Sequence, residues 1–356
     1  MTVQVMVVDD CNIARHVMKL ILQSDKEIEV CASVPDGESA LSLVQTNKPD
    51  VITMDLNMPG LNGLEVTKRI METAPVPIII VTSDTKSAAN PFHLLEAGAV
   101  AVLRSPAPPG HPEHEQTAAQ LIKTIKALAG VKLLRPSERQ RERAAASSSK
   151  VATGSGAKVI ALGASTGGPQ VLRQILCGLP ADFPIPIIVT QHIAKGFTAS
   201  LVKWLNGKSP LALSVAEQGE KLQPAHVYVA PDDKHLGITP GLAVELSSAN
   251  EYTMRPSISY MFKSLERSFG KNCVAVLLTG MGRDGAAEMA VLKAKGALTI
   301  AQDRDSSLIH GMPGEAIAFG GVCEVLSPDK IIERLLSLTT QSPKSAVSGW
   351  LYLGEK

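Results

Sequence analysis

One short stretch, from Val159 to Gly168, restricts the fold more than any other part of the chain. It reads Val-Ile-Ala-Leu-Gly-Ala-Ser-Thr-Gly-Gly, an apolar run that ends in a glycine-rich turn. A helical pattern begins at Gln170, where apolar residues recur at spacings of three and four. The sequence therefore predicts a strand, a tight turn and a helix, which is the repeating unit of parallel α/β sheets.

Within this turn, Gly163, Ser165 and Gly167 form a Gly-x-Ser-x-Gly pattern. Glycines allow a turn that a β-carbon would block, and such a turn raises the serine hydroxyl above the edge of the sheet. The start of the following helix offers unpaired backbone N–H groups to a developing oxyanion. The same pattern is also typical of a turn that binds phosphate or no ligand at all. The case for Ser165 as a nucleophile therefore depends on residues further along the chain.

The length of 356 residues predicts two domains, because one domain commonly takes about 100–200 residues. The five cysteines are scattered and form no C-x-x-C pair, which indicates reduced thiols instead of a disulfide or zinc framework. A net charge of +1 argues against a broad nucleic-acid-binding surface. We find no signal peptide and no apolar run of the ~18–20 residues that a membrane span needs. We therefore expect a cytoplasmic protein without direct membrane insertion.

Residues 1–129 are predicted to form a first doubly wound domain with a parallel sheet. Helical patterns alternate with apolar runs, and the apolar runs lie at residues 3–8, 28–33, 51–54, 76–81 and 100–103. Asp9, Asp10 and Asp55 follow the ends of two such runs, where α/β sheets bind their ligands. Three carboxylates at one edge repel one another unless a hard cation such as Mg²⁺ lies between them, and one of them could then attack a phosphoryl group. The alternative is that these residues only cap helices.

This first domain resembles a response-regulator receiver domain. The resemblance rests on Val-Val-Asp-Asp at 7–10, Met-Asp-Leu-Asn-Met-Pro-Gly-Leu-Asn-Gly at 54–63 and Val-Thr-Ser at 81–83. It implies a flavodoxin-like fold in which Asp55 accepts phosphate from a histidine kinase. It also implies that Asp9, Asp10 and Asp55 bind Mg²⁺ together with the backbone carbonyl of Asn57, and that Thr82 reports the phosphoryl group.

One position departs from the receiver pattern. Receivers of this kind carry Lys-Pro after the fifth strand, whereas this chain has Ser105-Pro106, and a serine cannot supply the positive charge of the lysine. Arg104 is adjacent, but neighbouring side chains on a strand point to opposite faces. Lys86, in the loop after the fourth strand, is a second candidate. We therefore expect phosphorylation at Asp55, while its coupling to a conformational switch stays an open question.

Residues 130–156 are predicted to be a flexible linker, because the periodic pattern stops and Ser, Ala and Gly dominate its second half. Residues 157–340 form a second predicted domain, Rossmann-like and again α/β, and residues 341–356 are a C-terminal tail. Further apolar runs in the second domain lie at 186–190, 227–230, 273–278 and 298–301.

Ser165, His192 and Asp284 each follow the carboxyl end of an apolar run in the second domain. If these strands share one parallel sheet, the three side chains converge at one rim. Acyl transfer needs this set, since a serine requires a base and the base an orienting carboxylate. The chain order Ser, His, Asp differs from that of α/β-hydrolases, so that fold is not indicated. Alternative candidates remain open at this point: His235, His226 and His310 for the base, and Asp303 for the carboxylate.

The second domain resembles the catalytic domain of the chemotaxis protein-glutamate methylesterases, the CheB family. The resemblance rests on Gly-Ala-Ser-Thr-Gly-Gly at 163–168, Gln-His-Ile-x-x-Gly-Phe-Thr at 191–198 and Leu-Thr-Gly-Met-Gly-x-Asp-Gly-Ala at 278–286. It implies a triad of Ser165, His192 and Asp284, with Thr166 and Met281 as active-site neighbours whose N–H groups stabilise the oxyanion. The esterase site would need no cofactor.

The order of receiver, linker and esterase is also that of the CheB family. The resemblance implies hydrolysis of glutamate methyl esters on chemoreceptors, with release of methanol, in a two-component chemotaxis pathway, and it leaves deamidation of receptor glutamines open. Two other hypotheses fit the sequence less well. One is a binding protein made of a degenerate receiver and an inactive esterase fold. The other is a serine hydrolase that acts on a different ester.

Overall fold

The structure is a computed structural model that describes residues 2–83, 91–131, 156–252 and 254–339. The first domain contains a five-stranded sheet in the order β2-β1-β3-β4-β5, and every neighbouring pair is parallel. Its strands are β1 (Val3–Val8), β2 (Ile28–Val34), β3 (Val51–Met54), β4 (Ile78–Thr82) and β5 (Ala101–Arg104). Its helices are α1 (Asn12–Gln23), α2 (Gly37–Asn47), α3 (Gly63–Thr73), α4 (His93–Glu96) and α5 (His114–Leu128).

Continuous Val and Ile runs explain this architecture. All residues of β3 and β4 are buried, so helices must cover both faces of the sheet. Side chains set where two of these helices begin: Asp36 accepts from the Ser39 N–H before α2, and Asn62 accepts from the Glu65 N–H before α3. Because the strands are parallel, β1 and β3 place Asp9 and Asp55 at the same edge.

The second domain contains a seven-stranded sheet in the order β14-β13-β12-β6-β7-β9-β8, again with parallel neighbours. Its strands are β6 (Val159–Ala164), β7 (Ile187–Gln191), β8 (Ala212–Val215), β9 (His226–Val229), β12 (Cys273–Leu277), β13 (Leu298–Gln302) and β14 (Glu324–Leu326). An antiparallel hairpin of β10 (His235–Ile238) and β11 (Val244–Ser247) forms a separate small sheet.

The helices of the second domain cover both faces of this sheet, as its buried apolar strands require. They are α6 (Gly168–Cys177), α7 (Thr198–Asn206), α8 (Ile258–Ser268), α9 (Ala286–Ala294), α10 (Met312–Ala318) and α11 (Pro328–Ser337). No helix among the described ranges is both long enough and apolar enough to cross a bilayer.

The three central strands β12, β6 and β7 decide where the chemistry takes place. Leu277 of β12 pairs with Gly163 of β6, and Ala164 of β6 pairs with Gln191 of β7. The three strands therefore end side by side, and the segments that carry Ser165 and His192 leave the same rim. The predicted fold class, two doubly wound parallel-sheet domains, is confirmed.

The structure also contains elements that the sequence did not reveal. Helix α5, which begins at His114, was not predicted, and Nδ1 of His114 lies 2.6 Å from the carbonyl of Ala107. The hairpin β10–β11, the edge strands β8 and β14, and the last two helices were not predicted either. The linker and tail predictions fall mostly on 132–155 and 340–356, outside the described residues, and the proposed domain boundaries stay a prediction.

We predict that Gly285→Ala destabilises the second domain more than Gly320→Ala does. Both glycines have positive φ, 85° at Gly285 and 68° at Gly320, so alanine at either position adds about 1–2 kcal/mol of backbone strain. A β-carbon at Gly285 would also lie 2.5 Å from Cγ2 of Ile258, whereas nothing lies within 4 Å of one at Gly320. The collision should add about 1–3 kcal/mol. Urea unfolding followed by circular dichroism measures the difference, and equal midpoints for the two variants would contradict it.

Candidate active site

Ser165 lies directly after β6, in the turn that leads into α6. Its backbone N–H donates to the carbonyl of Thr279 at 3.0 Å, and its carbonyl accepts from the Gly168 N–H at 2.8 Å. Gly167 has a φ of 79°, and a β-carbon there would lie 2.8 Å from Cβ of Leu308. Both the backbone conformation and the space therefore require glycine at this position. The turn holds Ser165 half-buried at the rim of the sheet.

His192 and Asp284 are in direct contact. Nε2 of His192 lies 2.8 Å from Oδ2 of Asp284. The two side chains are only 6% and 17% exposed, so water screens their interaction weakly. Because Nε2 faces the carboxylate, Nδ1 is the ring nitrogen left to accept a proton. The structure thus brings together the predicted base and its predicted orienting carboxylate.

The N-terminus of α8 holds Asp284 in place. The carboxylate accepts from the Ser257 hydroxyl at 3.0 Å, the Ile258 N–H at 2.7 Å and the Ser259 N–H at 3.0 Å. Burial acts to raise the pKa of Asp284, but the hydrogen bonds from His192, Ser259 and Ile258 outweigh it and keep the pKa well below its usual range. A charged carboxylate here stabilises a protonated His192. The sequence gave no sign that the start of this helix holds Asp284.

Three of the alternative candidates have other contacts. Asp303 accepts from the Ser306 N–H at 2.9 Å, within its own turn. His226 begins β9, and its Nε2 lies 2.8 Å from the Ser214 hydroxyl. His310 contacts a serine of its own loop, with Nδ1 and Oγ 3.4 Å apart. None of these contacts joins the alternative residue to Ser165, His192 or Asp284.

His235, the remaining candidate for the base, is fully buried. Its Nδ1 accepts from the Ser257 N–H at 3.1 Å, and its Nε2 lies 3.0 Å from the carbonyl of Ala249. Burial lowers the pKa of His235, which favours the neutral ring with a proton on Nε2. Both ring nitrogens are therefore occupied. His235 supports Ser257, and through it the carboxylate of Asp284.

The loop after β12 packs against the serine turn. The Thr279 hydroxyl donates to the carbonyl of Thr166 at 3.0 Å, and a β-carbon at Gly280 would lie 2.5 Å from Cβ of Ser165. Within the described ranges, the backbone N–H groups of Thr166 and Met281 have no hydrogen-bond acceptor, and no hydrogen bond joins the Ser165 hydroxyl to His192. The two N–H groups are therefore available to a ligand beside Ser165.

In the first domain, Asp9 and Asp55 form an acidic pair. Burial raises the pKa of Asp9, and the charge of Asp10 raises it further. Burial, and then the charge of Asp9, raise the pKa of Asp55 to about 6. Asp55 accepts from the Asn57 N–H at 3.2 Å, while Asp10 is exposed. Arg15 lies beside the pair and donates to the carbonyl of Asp9 at 2.6 Å.

This acidic pair suits a hard cation, since Mg²⁺ commonly binds one or two carboxylates and keeps several waters. The part of the chain that the structure describes holds no group of three His, Cys, Asp or Glu side chains placed as a complete metal site. Asp10 acts on Asp9 and Asp55 through its charge, and the set of three carboxylates as Mg²⁺ ligands stays a prediction.

At the position of the missing receiver lysine, Ser105 and its neighbour Arg104 make other contacts. The Ser105 N–H donates to the carbonyl of Thr82 at 3.0 Å, which extends the pairing of β5 with β4. Arg104 lies 3.5 Å from the carboxylate of Glu113, so its guanidinium forms an ion pair at the surface. Lys86 falls outside the described residues.

The two domains meet over Ser165. A cavity of about 350 Å³ is lined by both, with Ser165, His192 and Arg255 on one side and Leu103 and Gln116 on the other. The candidate active site therefore faces the first domain across this cavity.

Helix α4 supplies the polar contacts between the domains. Glu96 accepts from Arg173 at 2.5 Å and from the indole N–H of Trp204 at 2.9 Å. Gln170 donates to the carbonyls of Leu95 at 2.8 Å and Ala99 at 3.0 Å. Both Gln170 and Arg173 lie on α6, the helix that follows the Ser165 turn. The interface is therefore attached directly to the element that positions the serine.

The fold defines a response-regulator receiver domain joined to an α/β output domain that carries a candidate hydrolase site. The family described as CheB methylesterase matches residues 160–335, and the response regulator receiver domain matches residues 5–111. A protein-glutamate methylesterase/protein-glutamine glutaminase of Geobacter metallireducens is 45% identical over 345 residues, which cover 95% of this chain and 99% of that protein. One of Nitrosospira multiformis is 45% identical over 349 residues, with 95% and 98% covered.

The crystal structure of the Thermotoga maritima CheB methylesterase catalytic domain gives a TM-score of 0.50 at 36% identity, and covers 51% of this chain and 98% of that domain. Given these matches, the chain belongs to the protein-glutamate methylesterase family of chemotaxis response regulators and is a carboxylic-ester hydrolase. The resemblance inferred from the sequence motifs is confirmed.

We predict that Asp55→Asn stabilises the first domain at pH 7.5 in metal-free buffer, and that the gain disappears near pH 4. The folded state binds the Asp55 proton more tightly than the unfolded state, so the wild type loses stability as the pH rises from about 4 through about 6. The shift corresponds to at most about 3 kcal/mol, and partial exposure reduces the expected gain to about 1 kcal/mol. Urea unfolding at both pH values measures it, with Glu72→Gln as an exposed control. A gain of equal size at both pH values would disprove the electrostatic origin.

Proposed function

We propose that this chain hydrolyses the methyl esters of glutamate side chains on chemoreceptors and releases methanol, with Ser165 as nucleophile. The observation that carries this proposal is the buried contact between His192 and Asp284 on the rim where Ser165 lies. This set of groups supports acyl transfer, because it supplies a nucleophile, a base and a carboxylate that orients the base. Membership of the family favours this function over a binding protein or a hydrolase of other esters.

In the proposed first step, the Ser165 hydroxyl attacks the ester carbonyl while Nδ1 of His192 takes its proton. A bond forms between Oγ and the carbonyl carbon, and the negative charge moves to the carbonyl oxygen. The free N–H groups of Thr166 and Met281 are the proposed donors to that oxygen. Asp284, held by the start of α8, stabilises the positive charge on His192.

In the second step, the carbon–oxygen bond to the methoxy group breaks, and His192 returns its proton so that methanol leaves. Water then attacks the acyl-enzyme, with His192 again as base, and releases glutamate and free Ser165. A glutamine side chain would follow the same route with ammonia as the leaving group. We therefore include deamidation as a second proposed activity, in line with the names of the relatives.

The first domain is the proposed site of control. A histidine kinase would donate phosphate to Asp55, with Thr82 as the residue that reports the phosphoryl group. Asp9, Asp10, Asp55 and the carbonyl of Asn57 would hold Mg²⁺, which offsets the charge of the incoming phosphoryl group when bound. The raised pKa values of Asp9 and Asp55 support this role, because burial and repulsion among the neighbouring carboxylates leave room for a further positive charge.

The domain interface suggests how this control reaches the serine. The receiver closes one side of the cavity over Ser165, so a receptor helix can reach the serine only after the domains separate. Phosphorylation that weakens the contacts of α4 would then raise the fraction of molecules in which the two domains are separated. Because Ser105 lacks the charge that normally contacts the phosphoryl group, we expect a smaller effect than in a receiver that carries the lysine.

We predict that Ser165→Ala lowers methanol release from methylated receptor membranes by about four to six orders of magnitude, as the loss of a triad nucleophile does. Ser214→Ala removes a hydroxyl from β8 of the same domain and should leave the rate within about twofold, because that position lies far from the proposed machinery. A Ser165→Ala variant that retains more than a tenth of the wild-type rate would exclude Ser165 as the nucleophile.

We predict that Glu96→Ala raises the rate without phosphodonor by about fivefold and leaves the maximal rate unchanged. The substitution removes the hydrogen bonds from Arg173 and Trp204, and about 1 kcal/mol lost from the closed state raises the open fraction by that factor. Glu72→Ala, on the exposed side of α3, is the matched control and should have no effect. Methanol release with and without a small phosphodonor tests this. An unchanged basal rate for Glu96→Ala would refute the role of this interface as a cover.

A further inference from the structure

The side chain of Gln191 lies between the two turns that carry Ser165 and His192. It is 3% exposed. Its Nε2 donates to the carbonyl of Ser165 at 2.8 Å and to the carbonyl of His192 at 2.9 Å. A single buried amide thus contacts the backbones of both residues, although Gln191 and Ser165 are separated by 26 positions along the chain.

The orientation of this amide follows from its surroundings. With the amide reversed, Oε1 would face two carbonyl oxygens, and acceptors repel one another. In the observed orientation, Oε1 is buried and has no hydrogen-bond partner among the described residues. The amide therefore keeps both donor contacts although its oxygen stays unpaired, which is unusual for a buried polar atom.

The absence of a side chain at Gly168 makes room for this arrangement. A β-carbon there would lie 2.3 Å from Oε1 of Gln191 and 2.7 Å from Cβ of Ala164. The Gly168 N–H also donates to the Ser165 carbonyl at 2.8 Å. The Ser165 carbonyl is therefore held from two sides, by Gly168 within its own turn and by Gln191 from the neighbouring strand.

The sheet itself cannot hold these two turns together. The pairing of β6 with β7 ends at Ala164 and Gln191, and the last backbone hydrogen bond runs from the His192 N–H to the Ala164 carbonyl at 2.9 Å. Beyond this point, the Ser165 backbone and the His192 backbone are linked, within the described segments, by the two hydrogen bonds that the Gln191 amide donates. A displacement of about 1 Å between reacting groups can lower a rate by about a hundredfold.

We propose that Gln191 is a positioning residue that fixes the distance between the nucleophile turn and the base turn. This inference rests on the proposed roles of Ser165 and His192. It assigns to Gln191 no contact with the substrate. Loss of its two donor contacts should therefore slow the chemical step and leave substrate binding unaffected.

The first test is Gln191→Met in the full-length chain, because methionine keeps the volume and removes both donors. With methylated receptor membranes and phosphodonor, we expect kcat to fall by about 10- to 100-fold and KM to stay within about twofold. Ser264→Ala is the control for destabilisation alone, since Ser264 is a buried residue of α8 with hydrogen bonds away from the site, and it should retain kcat.

The second test is Gln191→Glu, which keeps the shape and makes the donor depend on pH. A carboxylate beside two carbonyl oxygens cannot donate, whereas the protonated acid can donate to one of them. The ratio of the variant's kcat to that of the wild type should therefore rise as the pH falls from 8 to about 6, while the ratio for Gln191→Met stays flat. A purely structural role would give no such difference between the two variants in folded protein.

These measurements separate the inference from the proposed function. If Ser165→Ala is inactive and folded Gln191→Met or Gln191→Glu keeps kcat within about twofold at every pH, the positioning role is wrong and the nucleophile stands. If Ser165→Ala is active, the proposed function itself fails. A kcat that falls with KM unchanged, together with the pH-dependent recovery of Gln191→Glu, supports the positioning role.

Discussion

The side-by-side pairing of β12, β6 and β7 is the constraint on which the candidate active site depends. Gly163 pairs with Leu277 on one side and with Thr190 on the other, so the three strands end at one level. Residues far apart in sequence then leave the sheet at the same rim, as the carboxyl ends of parallel strands do. A shift of one residue in either pairing would turn the following side chains to the opposite face. The register therefore decides whether Ser165 and His192 can act together.

The charge of Asp284 depends on a second set of contacts, apart from the strand register. Asp284 is largely buried, and a lone buried carboxylate would be unfavourable. The start of α8 supplies two backbone N–H groups and the Ser257 hydroxyl, so that Asp284 stays charged without its own cation. His192 then occupies the remaining acceptor direction through Nε2. Hydrogen bonds from His192 and from the helix start together keep this carboxylate ionised, and His235 supports the helix start through Ser257.

The sequence predicted the fold class and most central elements because continuous Val and Ile runs before glycine-rich turns have few other structural solutions. It also singled out the residues that meet at the rim, since strand ends in a parallel sheet share an edge. The positions of the strand ends alone left Asp303 open beside Asp284, and the family resemblance favoured Asp284, because the contact with His192 depends on where each loop folds back. Nor could it reveal the role of Ser257 or Gln191. Their contacts join segments that only the tertiary structure brings together, and neither residue type carries a chemical signature of its own.

The interface between the domains suggests a physical route from the receiver pocket to the serine turn. A β-carbon at Gly63 would lie 3.1 Å from the carbonyl oxygen of Asp55 and 3.4 Å from Cδ2 of Leu94, so the Asp55 backbone and α4 approach each other across this glycine. The next residue, Leu95, accepts from Gln170 on the helix that follows Ser165. A change at Asp55 can therefore move α4 through direct packing, without a signal through Ser105. Close packing transmits small displacements, so this contact path to the second domain does not require the lysine. In the proposed control, the missing lysine charge would bear on how strongly phosphate is held at Asp55.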